Sequence, residues 1–208
     1  MPRRSAARYN NLFDMDRHII FNVGRQFGSG GKSVALAIGD KLGIKVYDNE
    51  LILKAASESG LSAELFRRSD EQKRILGLGF QTGGLNDREL FRIQSAVIAR
   101  IAEESSAIFV GRASDYVLRE RKDCVDVFVC APDTCRRERV GRRMGISCEE
   151  AEKLMLKKDK GREDYYNFFT FGHWGVASNY DLCIDSSILG TEGTADFIID
   201  FAARSGKL

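Results

Sequence analysis

The sequence of 208 residues has little of several features that would place a protein in a class at once. It has only two prolines, and no apolar run approaches the roughly 18 residues that cross a bilayer. Its formal net charge is +2, so the whole molecule has no strong field for nucleic acid. These absences argue against disordered, membrane and nucleic-acid-binding proteins. With 43% hydrophobic and 30% charged residues, the composition is typical of a soluble globular protein.

Metal and disulfide signatures are missing too. The five cysteines contain no C-x-x-C pair, and the only histidines are His18 and His173. This argues against a zinc site or a disulfide framework and favours reduced core thiols in a cytoplasmic protein. The first sixteen residues lack the apolar segment of a secretory signal, so residues 1–17 are interpreted as a disordered tail.

Apolar runs of strand length alternate with amphipathic segments along the chain. Strands are predicted at residues 18–23, 44–47, 107–110, 125–131 and 182–184. Helices are predicted at residues 32–42, 49–58, 62–75, 86–104, 147–166 and 191–204, and a further one opens at Pro132. The glycine-rich residues 77–84 are interpreted as a loop. Strands of this kind are covered by helices on both faces, so we expect one α/β domain with a parallel sheet.

A glycine-rich stretch, GRQFGSGGKS, comes after the first predicted strand and precedes a helix. The standard phosphate-binding loop reads G-x-x-x-x-G-K-[ST], and Gln26 stands where its first glycine belongs. Gly24, two residues earlier, is interpreted as the source of the missing flexibility. The dinucleotide fingerprint G-x-G-x-x-G fails at Ser33, which argues against a nicotinamide enzyme. The flanking strand and helix favour phosphate binding over a plain turn with a solvated lysine.

The residue types of this loop predict specific contacts with a bound phosphate chain. Backbone amides would converge on the phosphate oxygens, and the helix N-terminus would add its partial positive charge. Lys32 would lie over the terminal phosphates, and the hydroxyl of Ser33 would hold Mg²⁺. The loop residues predicted to bind phosphate are Gly28, Ser29, Gly30, Gly31, Lys32 and Ser33.

With these residues in place, the chain resembles the cytidylate kinase-like proteins, a branch of the P-loop nucleoside monophosphate kinases. The similar segments, in order, are GRQFGSGGKSVALAIGDKLGIKVYDNELI, VGRASDYVL, VFVCAPDTCRRERVGRR, KKDKGREDYY and HWGVASNYDLCIDSS. The resemblance covers nearly the whole chain after residue 17. It implies a three-layer P-loop NTPase fold with a five-stranded parallel sheet, with ATP and Mg²⁺ as cofactors. It also implies a helical acceptor-binding arm at about residues 49–86 and a basic lid at about residues 142–175, within one kinase domain spanning residues 18–208.

Acceptor-binding residues are assigned on the other side of the loop. Asp48 comes after the second strand, where cytidylate kinases have a similar aspartate, and Lys54 falls near their acceptor-contacting arginine. A helix N-cap is an equal alternative for Asp48. Arg112 comes after a buried strand at the edge of the sheet where ligands bind, and it can grip a monophosphate with two parallel hydrogen bonds. The aspartate that usually succeeds this arginine is replaced by Ala113, with Asp115 two positions on, so the choice of base is left open.

Basic residues cluster on two later helices. Arg139 and Arg143 share a helix face, and Arg162 comes after Asp159 in the D-x-x-R pattern of the family. Phosphoryl transfer needs cations on the equatorial oxygens, so these three arginines are predicted to touch phosphate, with a solvated surface as the alternative. Asp159 would orient the acceptor phosphate or the arginine.

An aromatic stretch comes after the second basic helix. His173 is expected to be packed rather than catalytic, because an anionic phosphate acceptor needs no general base. The aromatic residues, interpreted as core or as a subunit contact of a homodimer, are Tyr165, Phe168, Phe169, Phe171 and Trp174.

The predicted function is therefore transfer of the γ-phosphoryl group of ATP to a nucleoside monophosphate, with CMP or dCMP as candidates, or to a related small phosphorylated acceptor. The altered loop start and Ala113 motivate an alternative, a nucleotide-binding regulatory protein without kinase activity.

Overall fold

A computed structural model describes residues 18–58 and 87–206 of the chain. The predictions for residues 1–17, 62–75 and 77–84 lie outside these ranges. Within them, no helix is long and apolar enough to cross a membrane.

A parallel sheet of five strands forms the middle layer. The strands are β1 (Ile20–Arg25), β2 (Lys45–Tyr47), β3 (Ala107–Val110), β4 (Cys124–Cys130) and β5 (Leu182–Asp185). In sheet order β2-β3-β1-β4-β5, each strand is parallel to its neighbour. All five predicted strands are confirmed, with ends that differ by at most two residues.

Helices cover both faces of the sheet, which completes the expected three layers. Phe21 and Val23 of β1 pack on one face with two helices, and Ile20 packs on the other face with two more. Successive side chains of a strand point to opposite faces of the sheet, which explains this division. The helices of the described residues are α1 (Gly31–Leu42), α2 (Asn49–Glu58), α3 (Asp87–Glu104), α4 (Ser114–Val117), α5 (Asp133–Met144), α6 (Cys148–Thr170) and α7 (Ser186–Arg204), with a 3-10 helix at Ala177–Asn179. Helices α1 and α7 cover the first face, and α2 and α3 cover the second.

Two helices differ in extent from their predictions. Helix α7 begins at Ser186, but Gly190 has φ of 66° and ψ of −178°, so a kink separates its first turn from the predicted helix at 191–204. Helix α6 runs four residues beyond the predicted end, to Thr170, as one continuous helix.

Cysteine placement agrees with the expectation only in part. All five cysteines are free thiols, and Cys124 is buried in the core. Cys148 and Cys183 are exposed, so the interpretation of every cysteine as a core thiol is wrong for these two.

The start of α6 matters because this helix carries two of the predicted site residues. The Ser147 hydroxyl accepts the amide of Glu150 at 3.2 Å, and the Glu150 carboxylate accepts the amide of Ser147 at 2.9 Å. This is the capping box that the S-x-x-E spacing predicts.

Ser147→Ala should destabilise the fold by about 1 kcal/mol, because it removes the acceptor for a first-turn amide. Urea unfolding monitored by far-UV circular dichroism measures the change. Ser178→Ala, at an exposed position of the 3-10 helix, is the control and should change stability by less than about 0.5 kcal/mol. Equal unfolding midpoints for S147A and the wild type would contradict the capping role.

Candidate functional site

The glycine-rich loop joins β1 to α1 at the carboxyl edge of the sheet. Gly28 and Gly30 have φ of 81° and 82°, a left-handed conformation that side chains rarely adopt. The N-cap of helix α1 is Gly30, which has no side chain, and the amide of Gly31 makes a long contact of 3.4 Å with the Ser29 hydroxyl. The first turn can therefore serve an anion. Lys32 and Ser33 are exposed on this first turn, and their predicted contacts with phosphate and Mg²⁺ stay predictions.

Gly24 does not have the role expected from the sequence. It lies within β1 without a positive φ, and a Cβ there would lie 2.9 Å from Phe128 and 3.3 Å from Tyr180. Close packing, not flexibility, therefore requires this glycine. Gln26, at the position of the missing first glycine, instead accepts the amide of Ala131 at 3.2 Å and ties the loop to the end of β4.

Helix α5 packs against the loop and holds its backbone. The Arg139 Nη1 donates to the carbonyl of Gly28 at 2.7 Å. The Arg136 Nη1 donates to the carbonyl of Phe27 at 3.0 Å. A Cβ on Gly28 would lie 2.8 Å from Val140, so the loop glycine also permits this close approach.

Asp159 of α6 connects the two basic helices to the loop. Its Oδ1 accepts the amide of Phe27 at 2.6 Å and Nη1 of Arg162 at 3.2 Å, and its Oδ2 accepts Nη1 of Arg136 at 2.5 Å. The same Arg162 nitrogen donates to the carbonyl of Arg25 at 3.2 Å. Of the two roles predicted for Asp159, these contacts favour orientation of the arginine.

Arg143 contacts the loop through the aromatic ring of Phe27. It is exposed, and its Cζ lies 5.5 Å from the centroid of the Phe27 ring, while Arg162 lies 5.4 Å from the same centroid. The two guanidinium groups therefore share one aromatic contact at the loop.

Lys32 makes an ion pair with Asp48 at the end of β2. The Lys32 Nζ lies 2.6 Å from Oδ2 of Asp48, while Oδ1 accepts the amides of Glu50 and Leu51 at 3.1 and 3.2 Å. Asp48 is thus both the N-cap of α2 and a partner of the loop lysine. Burial opposes its ionised form, but the hydrogen bonds from Lys32 and the two amides outweigh burial and lower its pKa.

A cavity of about 200 Å³ opens beside the loop, at the ends of β1 and β3. It contains both charged groups and aromatic surface. Residues that line it include Arg25, Asn49, Arg112, Asp115, Arg162, Tyr165, Tyr166, Trp174 and Tyr180.

Arg112 is held at this cavity by a buried amide and an aromatic ring. Its Nε and Nη2 donate to Oε1 of Gln94 at 3.1 and 2.9 Å, and its Cζ lies 3.7 Å from the centroid of Tyr165. Gln94 is fully buried and also accepts the Tyr165 hydroxyl at 3.0 Å. Since this partner is neutral, it does not offset the positive charge of the guanidinium group.

Asp115 brings a carboxyl group to the cavity from α4. Its Oδ2 accepts the hydroxyl of Tyr166 at 2.8 Å. Burial raises the pKa of Asp115, despite the opposing effect of that hydrogen bond. The carboxyl that Ala113 cannot supply is therefore present two residues later in the same cavity.

Several residues are placed differently from the sequence interpretation. Lys54 lies on the exposed face of α2, with its Nζ 3.7 Å from Glu58, and does not line the cavity. His173 is exposed rather than packed. Phe171 is 92% exposed, so it is not a core residue, and its alternative role as a subunit contact stays a prediction. Trp174 lines the cavity, as does Tyr165.

Arg25 and Gln94 belong to the site but were not predicted from the sequence. The signal for Arg25 was available, because a charged residue directly before a glycine-rich loop, at the end of a buried strand, must point toward the ligand edge of the sheet. Gln94 had no such signal, since a glutamine within a long helix is typical of a surface residue.

Asp159→Asn should destabilise the protein by about 3 kcal/mol, because it removes one partner of a buried ion pair. The side chains of Arg136 and Asp159 are only 6% and 16% exposed. Asp133→Asn is a matched control because Asp133 contacts the same arginine at 2.8 Å but is 72% exposed, so its loss should cost less than about 1 kcal/mol. Urea unfolding of both variants gives the comparison, and equal losses would contradict the role of Asp159.

The parallel sheet, the glycine loop with its lysine and serine, and the adjoining cavity define a P-loop enzyme of the kinase type. The chain belongs to the cytidylate kinase-like family, whose model matches residues 20–188. It is a nucleoside monophosphate kinase-like enzyme, and the family resemblance noted from the sequence is confirmed.

Individual relatives and structures agree with this placement. A cytidylate kinase from Pyrococcus horikoshii is 28% identical over 181 residues, which cover 84% of this chain and 83% of that protein. The crystal structure of an uncharacterized protein from Eubacterium ventriosum superposes with a TM-score of 0.72 at 26% identity, covering 90% of this chain and 99% of that one. A gluconokinase from Sinorhizobium meliloti has a TM-score of 0.53 at 15% identity over 92% and 96% of the two chains, which shows a shared fold alone.

Proposed function

We propose that the protein transfers the γ-phosphoryl group of ATP to the phosphate of a nucleoside monophosphate, with CMP or dCMP as the first acceptors to test. The observation that carries the proposal is the juxtaposition of the glycine loop and a cavity lined by Arg112 and Arg162 at one edge of the sheet. A donor phosphate on the loop and an anionic acceptor in the cavity would be neighbours. Such positioning supplies much of the catalysis in phosphoryl transfer.

The donor side would be formed by the loop and the first turn of α1. The amides of residues 28–31 would bind phosphate oxygens, and Lys32 would move from Asp48 to the terminal phosphates. Mg²⁺ fits the exposed hydroxyl of Ser33 and, when bound, would neutralise charge on the β and γ phosphates. Arg139, held at the carbonyl of Gly28, would add a cation next to the loop.

The acceptor side would be formed by guanidinium groups rather than by a general base. Arg112 uses two of its five N–H donors on Gln94, and the guanidinium group has further donors for a paired contact with phosphate. An anionic phosphate oxygen is already a nucleophile and needs no base. The exposed position of His173 is consistent with this requirement.

Relatives named as cytidylate kinases support a nucleoside monophosphate acceptor. The pyrococcal protein and a cytidylate kinase from Methanopyrus kandleri are each 28% identical to this chain. Asp115 supports cytosine specifically, because its carboxylate can accept a hydrogen bond from the exocyclic amino group of cytosine. Uracil has a carbonyl oxygen at that position and cannot donate this bond.

Lys32→Met should reduce kcat by about 100-fold or more, because a cation on the transferred group is lost. ADP release in the presence of ATP, Mg²⁺ and CMP measures the effect. Lys122→Met, at an exposed lysine just before β4 and thus at the opposite edge of the sheet, is the matched control and should leave kcat unchanged. Undiminished turnover in K32M would refute the proposed contact of Lys32 with the transferred phosphoryl group.

The alternative, a nucleotide-binding protein without kinase activity, is tested by the same reagents. The departure at Gln26 from the standard loop motivates it. Thermal stabilisation by ATP and Mg²⁺ without ADP release for any of a panel of monophosphates would favour the binder. ADP release that depends on one monophosphate would exclude it.

Asp115→Asn should lower kcat/KM for CMP about 10-fold while changing that for UMP much less, because it removes an acceptor for the amino group of cytosine. The ratio of kcat/KM for the two acceptors is the quantity to measure. Asp123→Asn, which weakens the contact of Asp123 with Arg121 before β4, is the control. An unchanged CMP to UMP ratio in D115N would show that Asp115 does not read the base.

A further inference from the structure

A third guanidinium group, that of Arg25, lies at the acceptor cavity beside Arg112 and Arg162. Arg25 is the last residue of β1 and lines the cavity. A Cβ on Gly111 would lie 1.8 Å from Nη1 of Arg25, so this nitrogen occupies the space that a side chain at position 111 would fill. The Arg25 side chain thus crosses from its own strand to the end of the neighbouring strand β3.

The carboxylates near Arg25 are already engaged with other cations. Asp48 and Asp159 both favour its charge, but the first is paired with Lys32 and the second with Arg136 and Arg162. Within residues 18–58 and 87–206, no carboxylate oxygen lies within ion-pair distance of the Arg25 guanidinium. Burial, together with the charges of Arg162 and Arg112, lowers the pKa of Arg25 to about 9.

We propose that Arg25 is a ligand of the acceptor phosphate, acting with Arg112 and Arg162, and that it makes the cavity selective for a phosphate monoester dianion over a neutral alcohol or a carboxylate monoanion. The inference rests on the proposed function, because it names the chemical class of the acceptor in the same cavity.

The charge balance of the cavity supports a dianion. A buried charge is costly unless an opposite charge lies nearby, and two further cations increase the cost. A phosphate dianion between the three guanidinium groups would remove this repulsion and form charge-assisted hydrogen bonds. A carboxylate brings half the charge and fewer acceptor oxygens, and an alcohol brings none.

The position of Arg25 also explains why the residue before the loop can influence the acceptor. Its carbonyl is bound by Arg162 at 3.2 Å, and Gly31, which opens α1, would bring a Cβ to 2.5 Å from the Cβ of Arg25. The backbone of Arg25 therefore belongs to the donor loop, while its guanidinium belongs to the acceptor cavity.

The test compares Arg25→Met with Arg100→Met. Arg100 is an exposed arginine of α3 that pairs only with Glu104 at 2.8 Å among the described residues, so it serves as the matched control. Binding of inorganic phosphate and of CMP is monitored by the fluorescence of Trp174, the one tryptophan of the chain, which lines the same cavity. Titrations in the K32M background, at fixed ionic strength, weaken phosphate binding at the donor loop, and CMP titrations report on the acceptor cavity.

R25M is expected to bind phosphate and CMP about 10- to 100-fold more weakly, the loss typical of a charge-assisted contact, while R100M binds as the wild type. With Lys32 restored, R25M should raise the KM for CMP and leave the KM for ATP unchanged. Because it relieves repulsion, R25M should also melt at the same temperature as the unliganded wild type or higher. A residue needed only for structure would lower the melting temperature instead.

Wild-type phosphate affinity in R25M, or a loss of affinity together with a lower melting temperature, would overturn the proposal. Arg25→Lys is a second variant that keeps the charge at a shorter reach, and it should bind more weakly than the wild type but more tightly than R25M. Wild-type affinity in R25K would contradict the guanidinium contact.

The outcomes also separate this inference from the proposed function. Arg25-dependent phosphate binding without turnover of any monophosphate would refute the kinase and leave the anion site. Turnover of CMP with wild-type KM in R25M would leave the kinase and refute the role of Arg25.

Discussion

The arrangement of the site depends on the hydrogen bonds that the carboxylate of Asp159 accepts. One group accepts hydrogen bonds from the loop backbone at Phe27 and from the guanidinium groups of Arg136 and Arg162. Without it, α5 and α6 would bring several like charges to the loop with little to hold them together. The capping box at Ser147 fixes the start of the helix that carries Asp159, and so it helps to position this carboxylate. The stability of α6 and the geometry of the glycine loop therefore depend on each other.

Charge is distributed unevenly between the two sides of the loop. The donor lysine is neutralised by Asp48 at 2.6 Å, whereas the acceptor cavity holds Arg25 and Arg112 without an ion-paired carboxylate among the described residues. The protein thus accepts a cost in stability on the acceptor side in the absence of ligand. Strained or repulsive arrangements of this kind are tolerated where binding later relieves them. The net charge of the whole chain, only +2, does not reveal this local excess of positive charge.

Features set by periodicity and by short motifs could be predicted from the sequence. All five strands and the capping box at Ser147 depend on residues close together in the chain, and each is found as expected. The failures concern contacts across the fold. The role of Gly24 could not be predicted because Phe128, which excludes a side chain there, is about a hundred residues away. The roles of Gln94 and Trp174 were missed for the same reason, since only the packed α3 and the segment after α6 bring them to Arg112 and to the cavity.

Position 111 shows how two arginines of the acceptor cavity constrain a single residue. Gly111, Arg112 and Ala113 have φ of 74°, 64° and 53°, three left-handed residues in a row, which is costly for the two that are not glycine. The cost at Arg112 is offset by its hydrogen bonds to Gln94 and its stacking on Tyr165. Glycine at 111 is required twice, once by its φ and once by the nitrogen of Arg25 that fills its side-chain space. A larger residue at 111 would therefore displace the Arg25 guanidinium from the cavity and strain the turn that presents Arg112. Both arginines thus require glycine at this position.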